Sequence, residues 1–150
     1  MIYCDTSLLF SFFVGDNLEK EAIARLEFLQ VNPDFLCWTS WHELELRTAL
    51  ERQVANLHKS TSREEAVVIY QQLDDWQLAG GILKKVEPKW SDVMNRANVI
   101  AYQFAAKFLG RSMDVVHVAL AVELEVTEFW TLDRRQRGMA EECGLVVGSG

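Results

Sequence analysis

Short apolar runs alternate with longer segments in which apolar residues recur every three or four positions. The short runs are predicted to be strands, at residues 2–4, 35–39, 82–86, 129–131 and 145–147. The longer segments are predicted to be helices at about residues 6–13, 17–30, 40–57, 61–79, 88–108 and 112–124, with a short helix after Asp133. Strands that alternate with helices are typical of a parallel sheet covered on both faces, so the pattern predicts an α/β fold.

Local signals mark several of these boundaries. A capping-box pattern spans Thr61–Glu65, and Gly80-Gly81 is predicted to end the helix that follows it. Ser112 is the predicted N-cap of a helix that is apolar on nearly every side between residues 115 and 124. A helix without a polar face belongs in the interior of the protein.

The composition suits a single domain spanning residues 1–150. Hydrophobic residues make up 49% of the chain, which is enough for a core without disulfides or a structural metal. Cys4, Cys37 and Cys143 are odd in number and widely spaced, which argues against a disulfide framework and a thiolate zinc site. Because no signal peptide precedes the first strand and no apolar run is long enough to cross a bilayer, we expect a cytoplasmic protein without a membrane association.

The net charge of -7 is unusual for a protein that acts on nucleic acids, because phosphates are usually bound by Lys and Arg. Two explanations stay open. The acidic residues could surround a metal ion, which would reverse the local field. Alternatively, the basic residues could form a patch, since Arg134, Arg135 and Arg137 lie together in the sequence and Arg111 is a further candidate.

Carboxylates occur where predicted strands lead into helices. Asp5 follows the first strand and Asp133 follows the fourth, while Asp114 lies in the first turn of the interior helix. Glu43 or Glu45 lies early in the helix after the second strand. Since ligands of parallel α/β sheets bind beyond the carboxyl ends of the strands, we expect these acids to converge.

Each acid also has a simple structural explanation, because Asp is a favoured helix cap and suits a helix N-terminus. For Asp133 both explanations stay open. For Asp5 a functional role is favoured, since Thr6 and Ser7 could cap the helix instead. At Asp114 the cap is expected from Ser112, so a carboxylate buried there needs another partner, and its own helix holds no Lys or Arg.

Carboxylates held close together repel one another unless a cation lies between them. Magnesium takes oxygen ligands, keeps several waters and bridges to phosphates. It also lowers the pKa of a bound water and stabilises a leaving oxygen. The acids therefore indicate metal-dependent hydrolysis of phosphodiester bonds.

The sequence gives little support for other classes of enzyme. No GxxxxGK[ST] phosphate loop and no GxSxG nucleophile motif is present. His42-Glu43 begins like a zincin motif, but Leu46 stands where the second His should be. His117 is expected to be a hydrogen-bonded core residue and not a metal ligand.

Four segments together resemble the PIN-domain ribonucleases, and more narrowly the VapC-type toxins of bacterial toxin–antitoxin pairs. They are the Asp-Thr-Ser at residues 5–7, the segment Thr-Ser-Trp-His-Glu-Leu-Glu-Leu-Arg-Thr-Ala-Leu at 39–50, Arg-Ser-Met-Asp-Val-Val-His-Val-Ala at 111–119, and Trp-Thr-Leu-Asp-Arg-Arg-Gln at 130–136. The segments occur in the family's order and span almost the whole chain.

The resemblance implies a three-layer PIN-like fold, with a short central parallel sheet flanked by helices, and a Mg²⁺- or Mn²⁺-dependent endoribonuclease that cleaves single-stranded or looped RNA. The catalytic positions by motif match are Asp5, Glu45, Asp114 and Asp133, with Ser7 and Thr131 as supporting hydroxyls. Asp5 and Asp114 would bind the metal directly, and Glu45 and Asp133 would act through water or hold a second ion. Such toxins are usually homodimers inhibited by a cognate antitoxin, which often places a basic side chain among the carboxylates.

Two points limit the match. The choice of Glu45 over Glu43 rests on the motif alone, because helical periodicity does not separate them. Thr48 stands where relatives have Asn, and its shorter side chain could weaken a hydrogen bond near the site. The Thr48 departure and the net charge of -7 support an alternative, a PIN-like module that binds RNA or protein with little turnover. A phosphatase- or receiver-like enzyme is a third hypothesis. Two features argue against it: residues 5–7 lack the second Asp of a DxD nucleophile motif, and no predicted strand ends in an obvious Lys.

Overall fold

The computed structural model describes residues 1–14, 27, 34–56, 61–78 and 82–148. The predicted helix at residues 17–30 and the predicted stop at Gly80-Gly81 lie outside the described residues. The chain divides into two compact units. The first consists of Met1–Asp5 and Glu87–Gly150, and the second of Thr6–Val86. The organisation of residues 1–150 as a single domain stays a prediction.

Strands and helices alternate through the described residues, as the hydrophobic pattern predicts. In chain order the elements are β1 (Ile2–Cys4), α1 (Thr6–Val14), β2 (Leu36–Trp38), α2 (Ser40–Val54), α3 (Arg63–Leu78), β3 (Leu83–Lys85), α4 (Trp90–Ile100), α5 (Ser112–Glu123), β4 (Glu128–Trp130) and α6 (Arg134–Glu142). Helix α4 continues as a π-helical turn at Ala101–Ala105 and a last α-helical turn at Ala106–Phe108. The π turn was not predicted, because apolar spacing alone does not distinguish a wider turn within a helix.

In the first unit, β1 and β4 form a parallel pair in which Cys4 lies opposite Trp130. Helix α5 is the interior helix of this unit, because every residue from Asp114 to Ala121 is buried. The prediction of a central helix without a polar face is confirmed. As a result, a carboxylate in the first turn of α5 lies in the interior of the protein.

In the second unit, β2 and β3 form a parallel pair in which Trp38 lies opposite Lys85. Helix α2 is capped by Thr39, whose side chain accepts a hydrogen bond from the backbone N–H of His42, while the Thr39 N–H donates to His42 Nδ1 at 3.1 Å. His42 is therefore part of a capping box. The capping box predicted within residues 61–65 is confirmed, since Ser62 N–H donates to Glu65 Oε2 and Glu65 N–H donates to Ser62 Oγ, at 2.6 and 3.1 Å.

The predicted strand at residues 145–147 is wrong. Val147 makes only an isolated parallel bridge with Phe129. The Phe129 N–H donates to the carbonyl of Val146, and the Gly148 N–H donates to the carbonyl of Phe129. These two bonds hold the segment beside β4, but they do not extend into a ladder.

The predicted N-cap at Ser112 is also wrong. Arg111 occupies the N-cap position, and Ser112 is the first residue of α5. The carboxylate of Asp114 accepts a hydrogen bond from the Arg111 backbone N–H at 2.9 Å. Asp114 itself therefore satisfies one of the N–H groups at this helix end, because the third helical residue can reach back to the cap.

The thiols of Cys4, Cys37 and Cys143 are free. Burial raises the pKa of the Cys37 thiol to about 12, so this group stays protonated at neutral pH. Across the described ranges, no helix has both the length and the apolar character required to cross a membrane.

Candidate functional site

Asp5 lies directly after β1 and is fully buried, with 0% of its surface exposed. Its backbone N–H donates to the carbonyl of Trp130 at 2.9 Å, which continues the pairing of β1 with β4 by one residue. Its carboxylate accepts a short hydrogen bond from the hydroxyl of Thr131, the residue after β4. Thr131 is also fully buried. Its hydroxyl thus contacts one of the acidic residues that it was predicted to support.

Asp133 lies two residues beyond Thr131 and caps α6. Its backbone N–H donates to the Thr131 hydroxyl at 3.0 Å. Its carboxylate accepts the Arg135 backbone N–H at 2.7 Å and the Arg135 guanidinium through Nε and Nη2, at 3.1 and 2.6 Å. These hydrogen bonds from Arg135 hold the pKa of the Asp133 carboxyl below its usual range, although partial burial opposes the shift.

Asp114 is 7% exposed and has contacts with two elements. Besides the Arg111 N–H, it accepts a hydrogen bond from Gln136 Nε2 to Oδ1 at 3.4 Å. Arg135 Nε lies 3.8 Å from Oδ2. The carboxylate is therefore held by the N-cap residue of its own helix and by α6, and its basic partner, Arg135, comes from α6.

These contacts connect three of the predicted site residues within the first unit. Asp5 is joined through Thr131 to Asp133, and Asp133 is joined through Arg135 to Asp114. Arg135 pairs with Asp133 and lies near Asp114, so one guanidinium stands against two carboxyl groups of this network. Such a group attracts a cation.

The remaining predicted residues belong to the second unit. Glu45 accepts a hydrogen bond at 2.7 Å from the hydroxyl of Thr6, the residue that follows Asp5 in the chain. Glu43 instead forms a surface ion pair with Arg47, with Arg47 Nη2 3.0 Å from Glu43 Oε1. This difference favours Glu45 over Glu43. Ser7 has an exposed side chain.

Thr48, the departure from the family pattern, also belongs to the second unit. Its hydroxyl donates to the carbonyl of Leu44 at 2.7 Å, one turn earlier in α2. The side chain is exposed. The hydroxyl is thus hydrogen bonded to the backbone of its own helix, and no described contact connects it to an acidic residue.

The oxygen ligands available at the acidic group suit a hydrated divalent ion. Among the residues that the structure describes, no group of three or more His, Cys, Asp or Glu side chains is placed to hold an ion together. Magnesium is commonly held by only one or two carboxylates and keeps several waters. A buried acceptor also lies at the site, because Gln136 Oε1 makes no hydrogen bond with the part of the chain that the structure describes. A carbonyl oxygen next to a carboxylate fits the hydration shell of such an ion.

Three residues were not predicted to contact the acids: Arg135 and Gln136 in the first unit, and Thr6, which contacts Glu45 in the second. Arg135 had been considered only as part of a basic cluster. Gln136 did leave a signal in the sequence, because it shares the buried face of α6 with Met139 and Ala140, at helical spacings of three and four. A polar residue on an otherwise apolar stripe needs a partner.

His117 is not part of this network. It is 3% exposed, and its Nδ1 is hydrogen bonded to the hydroxyl of Tyr3 at 2.8 Å. The prediction of a hydrogen-bonded core histidine is confirmed.

Residues 2–142 match the family described as the PIN domain. This chain belongs to the PIN-domain family. PIN domains are generally nucleases, that is, hydrolases that act on nucleic acids. Among curated proteins, no significant relative of this PIN domain was found.

Two solved structures resemble this PIN domain over nearly its full length. The crystal structure of FitAcB from Neisseria gonorrhoeae has a TM-score of 0.64 and 17% identity, covering 99% of this chain and 97% of that chain. The crystal structure of VapBC2 from Rickettsia felis, bound to a DNA fragment from their promoter, has a TM-score of 0.68 and 16% identity, covering 99% and 98%. The predicted fold class, an α/β PIN-like fold with a short central parallel sheet flanked by helices, is confirmed.

The lowered pKa of Asp133 makes the stability of this PIN domain depend on pH. Since the folded-state pKa lies below the unfolded value, the contribution of the Asp133–Arg135 pair is fully present above the unfolded pKa of about 3.9. It is lost as the pH falls through the folded-state pKa. We expect Asp133→Asn, which keeps a capping side chain, to lower the free energy of unfolding near neutral pH by about 1 kcal/mol.

Urea unfolding in metal-free buffer, from neutral pH down to strongly acidic pH, measures this effect. The two proteins are expected to converge in stability at the acidic end. A difference that stays constant across the whole range would show that the charge of Asp133 is not its cause.

Proposed function

We propose that this PIN domain is a Mg²⁺- or Mn²⁺-dependent endoribonuclease and the toxin of a toxin–antitoxin pair. The observation that carries the proposal is the connected group of Asp5, Asp114 and Asp133 in the first unit, in which Arg135 contacts two of the three acids. Hydrolysis by an activated water is the chemistry that suits such a group.

Asp5 and Asp114 are proposed to hold the ion directly. When bound, the ion would make a coordinated water more acidic and reduce the negative charge on the phosphate. Thr131 keeps the Asp5 carboxylate oriented through its hydrogen bond. Asp133 is engaged by Arg135 on both of its oxygens, which supports a role through water for this residue.

Glu45 is assigned to the site on its motif position, also through water, and its contact with Thr6 supports the choice over Glu43. Ser7 is assigned as a supporting hydroxyl on the motif alone. Arg135 is about one-third exposed, so its guanidinium has an accessible edge that could pair with a phosphate of the substrate.

RNA as the substrate, a homodimeric state and a cytoplasmic location are proposed from the resemblance to VapC-type toxins. The similarity to FitAcB and VapBC2, both toxin–antitoxin complexes, supports a cognate antitoxin as partner. The net charge of -7 suits an inhibitor that presents a basic segment.

The proposal is tested by incubating the purified chain with single-stranded RNA and with DNA of the same sequence. We expect cleavage of the RNA with Mg²⁺ or Mn²⁺, no cleavage after removal of the metal with EDTA, and recovery when Mn²⁺ is added in excess. Cleavage that persists in EDTA would contradict metal dependence, and equal cleavage of both strands would contradict the choice of RNA.

A PIN-like binding module with little turnover is the second candidate. It is favoured by Arg135, which already pairs with Asp133 and lies 3.8 Å from Asp114, and so competes with a cation for both carboxylates. Calorimetric titration with Mn²⁺ separates the two functions. Absence of binding at millimolar metal would favour the module.

A further inference from the structure

Among the described residues, the side-chain amide of Gln136 uses its Nε2 donor but not its Oε1 acceptor. Its side chain lies in the first turn of α6 and is 5% exposed. Nε2 donates to Asp114 Oδ1 at 3.4 Å. Oε1 is buried and makes no hydrogen bond within the described chain. Buried polar atoms are nearly always hydrogen bonded, so this oxygen indicates a missing donor.

The orientation of the amide follows from its neighbour. A carboxylate accepts hydrogen bonds and does not donate them, so the NH₂ group and not the carbonyl must face Asp114. Rotating the amide by half a turn would place two acceptors, Oε1 and the Asp114 carboxylate, against each other. The carbonyl oxygen is therefore held beside Asp114 with its lone pairs available.

A simple packing role does not account for this arrangement. The neighbouring buried positions of α6 are Met139 and Ala140, and an apolar side chain at position 136 would continue their stripe without burying an unsatisfied atom. A role limited to holding Asp114 would use only Nε2. A water or ligand that binds beside the acidic group would provide the donor that Oε1 lacks.

We propose that Gln136 is a positioning residue of the metal site, which orients Asp114 through Nε2 and accepts a hydrogen bond through Oε1 from the hydration shell of the cation. This inference rests on the proposed function, since it requires a divalent ion at Asp114. Magnesium and manganese keep several waters when one or two carboxylates bind them, and each such water has protons that need acceptors. Outer partners of this kind tune metal affinity by about 10- to 100-fold.

The test compares two variants that both lose the donor to Asp114. Gln136→Met keeps the length of the side chain and removes the acceptor, whereas Gln136→Glu keeps an acceptor oxygen. Mn²⁺ affinity is measured without RNA, by calorimetry and by electron paramagnetic resonance of the bound ion. Gln103→Met, at an exposed position of the π turn, is the matched control for the same chemical change.

We expect Gln136→Met to weaken Mn²⁺ binding by at least about 10-fold, while Gln136→Glu and Gln103→Met bind at least as tightly as the wild type. Circular dichroism and thermal unfolding of the metal-free proteins check that the fold is retained. If Gln136→Met does not fold, Gln136→Leu, which also lacks the acceptor oxygen, replaces it: weakened Mn²⁺ binding supports the proposal and unchanged binding overturns it.

Several outcomes would overturn the inference. Equal Mn²⁺ affinity of wild type and Gln136→Met would do so, and so would equal weakening in Gln136→Met and Gln136→Glu, because both lose Nε2. An unchanged Mn²⁺ affinity with a raised KM for RNA would assign Oε1 to a substrate hydroxyl instead. If the wild type cleaves RNA with metal in any of these cases, the proposed function stands, whereas a wild type that binds no Mn²⁺ overturns both.

Discussion

Replacing Asp5 with Asn is expected to remove nearly all metal-dependent RNA cleavage. The change keeps the shape of the side chain and an oxygen that can accept the Thr131 hydroxyl, but it removes the negative charge at the centre of the proposed site. Loss of an outer partner of a metal ligand costs about 10- to 100-fold, so loss of a direct ligand should lower kcat/KM by more than about 100-fold. Growth inhibition on expression should be lost in parallel.

The control for this variant is Asp92→Asn, the same chemical change in the first unit but away from the acidic network. Asp92 lies in the first turn of α4 and pairs with Lys89 at the surface, with Lys89 Nζ 3.1 Å from Asp92 Oδ2. We expect it to cleave RNA at the wild-type rate. If kcat/KM of Asp5→Asn stays within about threefold of the wild-type value, the proposed catalytic role is wrong. This conclusion requires that both variants show the wild-type thermal unfolding transition.

Replacing Leu120 with Ala is expected to cause the largest loss of stability. Leu120 lies on α5 and is fully buried, with 0% of its surface exposed. Removing its isobutyl group loses the transfer free energy of that group and leaves a cavity in the first unit, which together cost about 2–5 kcal/mol. The free energy of unfolding of a native protein is only about 5–15 kcal/mol. We therefore expect a large fraction of the Leu120→Ala variant to be unfolded near physiological temperature.

Leu78→Ala is the matched control, because Leu78 ends α3 and is 82% exposed. Surface changes of this kind usually stay within about 0.5 kcal/mol. Chemical denaturation followed by circular dichroism gives the free energy of unfolding of both variants. A loss in Leu120→Ala no larger than that in Leu78→Ala would mean that α5 is not the packed centre of its unit.

Much of the described fold could be predicted from local pattern. The bounds of β1, α2 and α5 agree with the predicted ones to within a few residues, because the alternation of apolar and polar positions reports directly on periodicity. The strand predicted at residues 145–147 failed for a reason that the pattern does not contain. An apolar segment forms a strand only when it makes a continuous series of backbone hydrogen bonds with a neighbouring strand. Here Val147 makes only a single bridge, with Phe129 of β4.

Prediction of the site was uneven for a similar reason. Asp5 and Asp133 could be proposed as site residues because each follows a strand, and that position can be read from the order of the chain. The reasoning at Asp114 was wrong in one step, since its carboxylate and not Ser112 satisfies the helix end. Its other contacts, with Arg135 and Gln136, come from a different helix and could not be predicted from α5 alone.

The sequence by itself therefore determined the order of strands and helices, the buried character of α5 and the acids at the strand ends. These features depend on periodicity and on neighbours along the chain, which local interactions dictate. The tertiary structure decided which acids are connected, that Glu45 and not Glu43 contacts Thr6, and that the amide of Gln136 faces Asp114. Such contacts join residues far apart in the chain, so only the packing of the helices and strands brings them within hydrogen-bonding distance.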